Sequence, residues 1–308
     1  MARTTTKRRK RLNRRWLILA GYLVVIAGVL IFSHYHAGEP KQQTVQTPHV
    51  ATKVSTPPQS QTVVPTEDAA LNQIIANWTK NYNFSATAKV IELNGQQRQA
   101  SYRATTSVIP GSTYKIYVAY AVLHAIEQGT YTLNSPTSGG YTIQQDLTTM
   151  IVNSDNAAAR RLGFMLGWKN INSLLATQSV TSTNLYNYVP PSTDPVGDKH
   201  TTATDLSTIL KKLYAGQLLN SDHTALLLSL MKQQHYRSAI PAGVPSGVTV
   251  ADKPGWLTPA DGETGYTYND AGIVYGPKSD YLIVVTTAGS SPTPLANLSK
   301  QVYNYLQN

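Results

Sequence analysis

The order of the element signals along the chain limits its fold more than any other feature of the sequence. Two β-rich runs come first, FSATAKVIEL and QQRQASYRATTSV, with Asn94-Gly95 between them. An Asn-Gly pair in this setting is a strong hairpin signal. A long helical block follows, and strand patterns return only near the C-terminus, before one last helix. This order predicts one antiparallel sheet that distant segments complete, with a helical lobe inserted between them.

The predicted elements occupy the chain from Thr66 onward. Thr66 is expected to cap the first helix, because Glu67 and Asp68 suit a helix start and apolar residues recur after them at helical spacing. The further predicted helices cover about 112–128, 142–152, 156–166, 168–177, 202–215, 221–233 and 293–306, and the later strands about 247–257, 266–275 and 280–287.

The N-terminus joins a basic tail to an apolar run. Residues 1–15 hold eight Lys or Arg and no acid, and residues 16–32 are 17 uncharged residues, WLILAGYLVVIAGVLIF. As a helix this run is about 25 Å long, close to the thickness of a bilayer core. The positive flank predicts a cytoplasmic tail, a single-pass signal anchor over 16–32 and an extracytoplasmic C-terminal domain in a bacterial membrane. A signal peptide cleaved near Ala37 is the alternative, whereas a buried core helix leaves the cations unexplained.

The remaining composition narrows the function classes. Residues 33–65 are rich in Gln, Thr, Ser and Pro, without a helical or alternating period, and predict an extended linker before a domain at 66–308. The net charge of +10 comes from the tail, since the rest of the chain has 18 basic against 16 acidic residues. We therefore expect no nucleic-acid partner. The chain has no cysteine, which excludes thiolate metal sites and a cysteine nucleophile, and we expect no cofactor or metal.

Three short motifs carry candidate chemistry. Ser112 and Lys115 open an apolar helix and share one face of it. The positive helix end would stabilise an oxyanion at Ser112, and desolvation would favour a neutral Lys115 that can take the serine proton. Ser154-Asp155-Asn156 forms a polar turn between two helices, and Lys253-Pro254-Gly255 follows a predicted strand. Taken singly, each motif also fits an ordinary cap, turn or solvated lysine.

In this order, the three motifs and the stretches KHTTATDLSTILKKLYAGQLL, IPAGVPSGVTVADKPGW and AGIVYGP resemble the class A β-lactamase branch of the penicillin-recognising serine hydrolases, which include D-Ala-D-Ala peptidases. The resemblance covers about four-fifths of the chain. It implies an α/β/α sandwich of the β-lactamase and transpeptidase type. The family carries Ser-x-x-Lys, Ser-Asp-Asn and Lys-(Thr/Ser)-Gly.

The resemblance also implies roles for individual residues. Ser112 would be the acylated nucleophile and Lys115 a proton acceptor. Ser154 would pass a proton to the leaving group, assisted by Lys253. Asn156 would hold the substrate amide, and the backbone N–H groups of Ser112 and Trp256 would form the oxyanion hole.

The sequence departs from the family pattern on the loop that should carry a water-activating glutamate. No glutamate occurs between Glu127 and Glu263, and Asp194 and Asp198 are the carboxylates of that loop. Each aspartate is a candidate substitute, although Asp-Pro and Gly-Asp pairs also fit plain turn chemistry. A shorter side chain in this place matters, because a shift near 1 Å can cost about a hundredfold in rate.

The second departure is Pro254, which stands where the family has a hydroxyl that donates to a substrate carboxylate. Proline offers neither a hydroxyl nor an N–H, and no Lys or Arg occurs from Pro254 to Pro277. Carboxylate binding would rest on Lys253, with Asn269 near the missing cation. Trp256, Tyr266 and Tyr268 either offer a stacking surface for a sugar or peptide or are ordinary strand aromatics.

These observations predict a membrane-anchored, outward-facing serine hydrolase that acts by acyl transfer through Ser112 on a cell-envelope peptide or ester. They also predict slow turnover of β-lactams. The alternative is a catalytically idle module that keeps the fold and binds an envelope component, because Pro254 and the missing glutamate both weaken the chemistry.

Overall fold

The computed structural model describes residues 65–82, 84–185, 199–258 and 266–308. The predicted tail, anchor and nearly all of the linker lie outside these residues, as do Asp194 and Asp198. Within the described ranges, no helix combines the length and the apolar composition that a membrane crossing needs.

Six strands and eight helices form the described part of the chain. The strands are β1 Thr66–Glu67, β2 Ser85–Glu92, β3 Arg98–Tyr102, β4 Thr249–Leu257, β5 Tyr266–Tyr275 and β6 Asp280–Ser290. The helices are α1 Ala69–Lys80, α2 Lys115–Glu127, α3 Ile143–Val152, α4 Asn156–Leu166, α5 Trp168–Thr177, α6 Ala203–Tyr214, α7 Ser221–Lys232 and α8 Pro292–Leu306. Short 3₁₀ turns precede α2, at Gly111–Tyr114, and β4, at Ile240–Gly243. Most of the predicted bounds are confirmed to within one to three residues.

The strands form one sheet in the order β1-β3-β2-β6-β5-β4. The predicted hairpin is confirmed, with β2 antiparallel to β3 and Val90 opposite Ala100. The C-terminal β6 pairs with β2, placing Ile283 opposite Val90, so distant segments complete the sheet as the element order predicts. The two-residue β1 departs from the antiparallel prediction, because it runs parallel to β3.

The two faces of the sheet bury separate cores. Along β6, Leu282 and Val284 face the larger core under the helical lobe, and Ile283 and Val285 face the core of α1 and α8. All four side chains are fully buried. Strand residues alternate between faces, and a continuous apolar run such as this one is what a sheet covered on both sides requires. The α/β/α sandwich with its inserted helical lobe is therefore confirmed.

The start of the first helix differs from the prediction. Asp68, rather than Thr66, is the cap, and its carboxylate accepts a hydrogen bond of 2.8 Å from the Leu71 N–H. Thr66 and Glu67, which precede Asp68, belong to the sheet. There the Thr66 N–H donates to the Gln97 carbonyl at 2.9 Å. The prediction of Thr66 as the cap is wrong because Glu67 continues strand β1, so the helix begins only at Ala69.

Candidate active site

Ser112 lies on a turn that packs directly against strand β4. Gly111 has a φ of 52°, a left-handed conformation that favours glycine. A Cβ built on Gly111 would come within 2.8 Å of the Gly255 carbonyl carbon, and one on Gly255 within 2.4 Å of the Ser112 nitrogen. These approaches are too close for any side chain. The two glycines therefore allow the Ser112 backbone to lie against the segment of β4 that leads to Trp256.

Hydrogen bonds from three sides fix the segment that leads to Ser112. The Val108 N–H donates to the Thr201 carbonyl at 2.9 Å, and the Thr201 N–H donates back at the same distance. The Asn269 amide donates to the Ile109 carbonyl at 2.8 Å, and the Thr113 hydroxyl donates to the Pro110 carbonyl at 2.7 Å. The nucleophile candidate is thus held by β5 and by the segment before α6, as well as by its own turn.

The Lys115 amine joins the first two motifs. Its Nζ lies 2.9 Å from Ser112 Oγ, 2.6 Å from the Ser154 carbonyl oxygen and 2.7 Å from Asn156 Oδ1, with Ser154 Oγ at 3.3 Å. The residue is fully buried. A carbonyl and an amide oxygen accept hydrogen bonds but cannot donate them. When Lys115 is neutral, these two oxygens accept its two N–H bonds, and its lone pair is left for Ser112 Oγ.

The third motif meets the second at Ser154. Lys253 Nζ lies 2.9 Å from Ser154 Oγ and 2.9 Å from the Pro254 carbonyl oxygen, and Lys253 is also fully buried. Ser154 has a φ of 58°, a conformation that costs about 1–3 kcal/mol for a residue with a side chain. Asp155 stabilises this turn by capping α4, with its carboxylate 2.6 Å from the Ala158 nitrogen. The turn thereby aims Ser154 Oγ between two lysines.

Burial lowers the pKa of both lysines, and repulsion from neighbouring cations acts on Lys115 as well. Desolvation is the main cause for Lys115, whose pKa falls to about 6, and the nearby positive charges of Lys253, Lys199 and Arg160 lower it further. Desolvation also lowers the pKa of Lys253 to about 7, against the opposing effect of Asp270 and Asp252. At neutral pH, Lys115 is therefore the more deprotonated of the two.

Two buried carboxylates lie behind Lys253, and the sequence analysis missed them. Asp252 and Asp270 are fully buried. Burial, with repulsion between the two charges, raises the pKa of Asp252, and burial raises that of Asp270 to about 7. Both face the α8 side of the sheet, where Asp270 accepts a hydrogen bond of 3.0 Å from the Ile240 N–H. Successive residues of a strand face opposite sides of the sheet. Asp252, next to Lys253 on β4, was therefore predictable as a carboxylate on the opposite face.

The cleft at Ser112 is lined by residues from the first two motifs, by Trp256 just after the third, and by two further cations. Ser112, Asn156 and Trp256 line it, as the sequence predicts, together with Arg160 and Lys199. The helical spacing of four residues from Asn156 to Arg160 could have revealed the first of these cations, since it places both on one face. Among the described residues, no group of three or more His, Asp or Glu side chains is arranged to hold a metal ion.

The family resemblance places a substrate carboxylate near Pro254, and few donors are available there. Pro254 lies on β4, an edge strand of the sheet, which is where a strand tolerates proline. Asn269 cannot replace the missing cation, because it is fully buried and both ends of its amide are engaged. Its nitrogen donates to the Ile109 carbonyl, and its oxygen accepts from the Thr287 N–H at 3.1 Å.

An aromatic surface adjoins this side. Trp256 stacks on Tyr268 with ring centroids 5.9 Å apart and 13° between planes, and Tyr236 meets Trp256 edge-on at 4.8 Å. The two tyrosines and Trp256 line an apolar depression with Ser291 and Pro292. Tyr236 is 43% exposed, and the sequence analysis did not single it out. The side chain of Tyr266 lies outside the described part of the structure.

The five side chains of the three motifs thus form one hydrogen-bonded group beside the cleft, in a three-layer fold that defines the class of penicillin-recognising serine hydrolases. The model of the beta-lactamase enzyme family matches residues 69–306, and the chain belongs to this family. PbpX of Bacillus subtilis (strain 168), which is named as a penicillin-binding protein, is 29% identical over 156 residues. That match covers 44% of this chain and 39% of PbpX, so the chain spans well under half the length of this relative.

Solved structures share the fold. The structure of PBP-A superposes with a TM-score of 0.69 and 21% identity, over 78% of this chain and 97% of that chain. A mutant of PBP-A was solved as an acyl-enzyme complex with penicillin G, again with a TM-score of 0.69 and 21% identity, over 79% of this chain and 98% of that chain. The TLA-3 extended-spectrum beta-lactamase gives a TM-score of 0.70 at 18% identity, over 78% and 99% of the two chains.

Proposed function

We propose that this protein is a membrane-anchored, extracytoplasmic active-site-serine enzyme that transfers the acyl group of a cell-envelope peptide or ester to Ser112. The single observation that supports it best is the buried Lys115 amine. Its lowered pKa and its 2.9 Å distance from Ser112 Oγ are what a general base for a serine nucleophile needs.

In the acylation step, one proton passes from Ser112 to Lys115, and the leaving group is protonated by Ser154. Ser112 Oγ forms a bond to the substrate carbonyl carbon while its proton passes to Lys115 Nζ. The oxyanion that develops is held by the N–H groups of Ser112 and Trp256, which the close packing of Gly111 on Gly255 supports. When the tetrahedral intermediate collapses, the bond to the leaving amine or alcohol breaks, and that group takes the Ser154 proton. Lys115 returns its proton to Ser154 across their 3.3 Å contact.

The charge of Lys253 supports the second half of this step. A protonated Lys253, 2.9 Å from Ser154 Oγ, stabilises the partial negative charge on that oxygen while its proton leaves. This division of roles needs a neutral Lys115 and a charged Lys253, and the order of their pKa values favours it.

Release of the acyl group from Ser112 requires a second nucleophile, such as water, to accept it. The stretch from residue 128 to 262 contains no glutamate, and no Asp or Glu lines the cleft among the described residues. We propose that β-lactams acylate Ser112 and then leave slowly, since water lacks a general base. The acyl-enzyme complex of a PBP-A mutant with penicillin G is a precedent within the same fold.

The alternative is an idle envelope-binding module, and Pro254 is the observation that favours it. The residue removes a hydroxyl from the substrate side of the cleft, and Asn269 is engaged elsewhere. In that case the aromatic surface of Trp256, Tyr268 and Tyr236 would bind an envelope sugar or peptide without turnover.

Covalent labelling of the full-length protein separates the two functions. The protein is treated in parallel with a fluorophosphonate and with benzylpenicillin, and its intact mass is measured. An enzyme gains one adduct, which peptide mapping places on Ser112 and which the Ser112→Ala variant lacks. Failure of both reagents to label the folded protein would refute the proposed enzyme and leave the binding module.

A further inference from the structure

The clearest feature that the proposed chemistry leaves unused is the pair of cations in the cleft, Arg160 and Lys199. We infer that they form a subsite for a carboxylate on the acyl portion of the substrate, the portion that stays on Ser112. The inference rests on the proposed function, because it names the substrate class of the same site.

Arg160 is aimed into the cleft by its place on α4. It lies one helical turn after Asn156, on the same face, and both residues line the cleft with Ser112. Arg160 is half-buried, and none of the ion pairs among the described residues includes it. Its neighbour Arg161 differs, because it contacts the buried Asp146 through Nε at 3.0 Å and also through Nη2. Arg161 therefore stabilises the fold, whereas Arg160 faces the cleft.

Lys199 forms the second part of the subsite, beside Tyr114 in the same cleft. Its ammonium lies 4.7 Å from the centroid of the Tyr114 ring and 5.4 Å from that of Trp168, distances at which a cation is attracted to a ring face. The residue is only 4% exposed, yet it lines the cleft. The two rings therefore hold a positive charge at a defined place in the cleft wall.

Among the described residues, the two charged side chains that line the cleft are both cations. Arg160 and Lys199 add to the positive charges near Lys115 and contribute to its lowered pKa. The nearby acid Asp155 caps α4, and no described carboxylate lines the cleft. A concave site with charge of a single sign concentrates ligands of the opposite sign. Arg160 and Lys199 therefore favour an anionic substrate in this cleft.

The position along α4 indicates which part of the substrate carries the anion. Ser154, the proton donor to the leaving group, comes immediately before α4, and Asn156 is its first residue. Arg160 lies about 6 Å further along the helix axis, away from Ser154. A group at Arg160 therefore belongs to the acyl side. A guanidinium offers the planar pair of donors that a carboxylate accepts, so the expected substrate is an acyl donor with a carboxylate close to its reacting carbonyl.

Three penicillins that differ at one carbon test this subsite on the full-length protein. Carbenicillin carries a carboxylate next to the acyl carbonyl, benzylpenicillin a hydrogen and ampicillin an ammonium group, while all three share the ring carboxylate. We expect carbenicillin to acylate Ser112 about tenfold faster than benzylpenicillin, the fold-change of one charge-assisted hydrogen bond. Ampicillin should acylate Ser112 most slowly, and high salt should reduce the differences between the three acylation rates.

The variants attribute the preference to these residues. Arg160→Gln and Lys199→Gln should each reduce the ratio of the carbenicillin to the benzylpenicillin rate, and together bring it near one. We measure the ratio because each substitution also changes the pKa of Lys115. That change alters the carbenicillin and benzylpenicillin rates by the same factor and cancels in the ratio. Lys169→Gln removes an exposed charge on α5 and should leave the ratio unchanged. A ratio near one in the unmodified protein, or one unaffected by both substitutions, would overturn the subsite while the enzyme proposal stands.

If no penicillin acylates Ser112, the same question is answered by equilibrium binding. The probes are then phenylacetamide and 2-phenylmalonamic acid, which are the side-chain amides of benzylpenicillin and carbenicillin. Tighter binding of the acid by calorimetry, lost in Arg160→Gln, would support the subsite without the enzyme. Equal binding of the two amides would refute it.

Discussion

Lys115 and Lys253 converge on one oxygen atom, with their Nζ atoms 3.3 and 2.9 Å from Ser154 Oγ. Because both amines contact the same oxygen, two buried ammonium groups here would repel each other strongly. The site therefore favours a state in which one lysine is charged and the other is neutral. The carboxylates of Asp270 and Asp252 stand behind Lys253 and raise its pKa. The single positive charge is therefore expected on Lys253, which leaves Lys115 as the base.

The first prediction concerns pH. The rate of acylation by benzylpenicillin should rise as Lys115 loses its proton near pH 6 and fall as Lys253 loses its proton above about pH 7. Removing the carboxylate of Asp270 lowers the pKa of Lys253, so Asp270→Asn should move the alkaline limb to lower pH. Rate–pH profiles of both proteins test this, with the exposed Asp222→Asn as control. An alkaline limb that stays in place in Asp270→Asn would contradict the assignment of that limb to Lys253.

The second prediction concerns the nucleophile and its base. Ser112→Ala should abolish labelling, and Lys115→Ala should slow it by about 10²–10⁴-fold, the usual contribution of a general base. Second-order labelling rates measure both effects, and thermal unfolding shows whether each variant remains folded. Labelling that persists in folded Ser112→Ala would mean that another residue is the nucleophile.

The third prediction concerns the acyl-enzyme. The benzylpenicillin adduct should last for minutes or longer, because a missing general base raises the deacylation barrier by about 3–5 kcal/mol. Time-resolved intact mass after removal of free penicillin follows the decay. Fast turnover of benzylpenicillin that neither Asp194→Ala nor Asp198→Ala reduces would contradict this prediction. If one of these substitutions abolished fast turnover, that aspartate would be the substitute base.

The fourth prediction concerns the ring carboxylate of penicillins. Since Pro254 offers no hydroxyl and Asn269 is engaged, benzylpenicillin and its methyl ester should acylate Ser112 at similar rates. Pro254→Thr should raise the preference for the free acid by about tenfold or more, through one hydrogen bond to a charged group. The ratio of the two acylation rates in each protein is the measurement. A strong preference for the acid in the unmodified protein that Pro254→Thr leaves unchanged would show that another residue binds the carboxylate.

The fifth prediction concerns the N-terminus. The eight cations and 17 uncharged residues should keep the full-length protein in the membrane fraction at high salt, with its C-terminus accessible to protease from outside. A variant that lacks residues 1–32 should not sediment with the membranes. Recovery of a secreted form that begins near Ala37 would instead indicate a cleaved signal peptide.

Local patterns determined most of the fold. The Asn94-Gly95 pair predicted the β2–β3 hairpin, and the helical periods predicted α4 and α5 with their observed bounds. Ser112 and Lys115 were predictable as a pair because three residues of a helical turn place both on one face. The error at Thr66 has the opposite cause, since Glu67 is held in a strand by pairing with β3, which lies over thirty residues later, and the helix start moves to Ala69.

The element order, the three motifs and the pairing of Ser112 with Lys115 were predictable because they depend on neighbours within one or two turns. The contact of Lys253 with Ser154 across 99 residues, the place of Asp252 and Asp270 behind Lys253, and the cleft that Arg160 and Lys199 share with Ser112 depend on tertiary packing. Burial, charge repulsion and hydrogen-bond geometry arise when distant segments pack together, and these forces set the pKa values and the charge of the site.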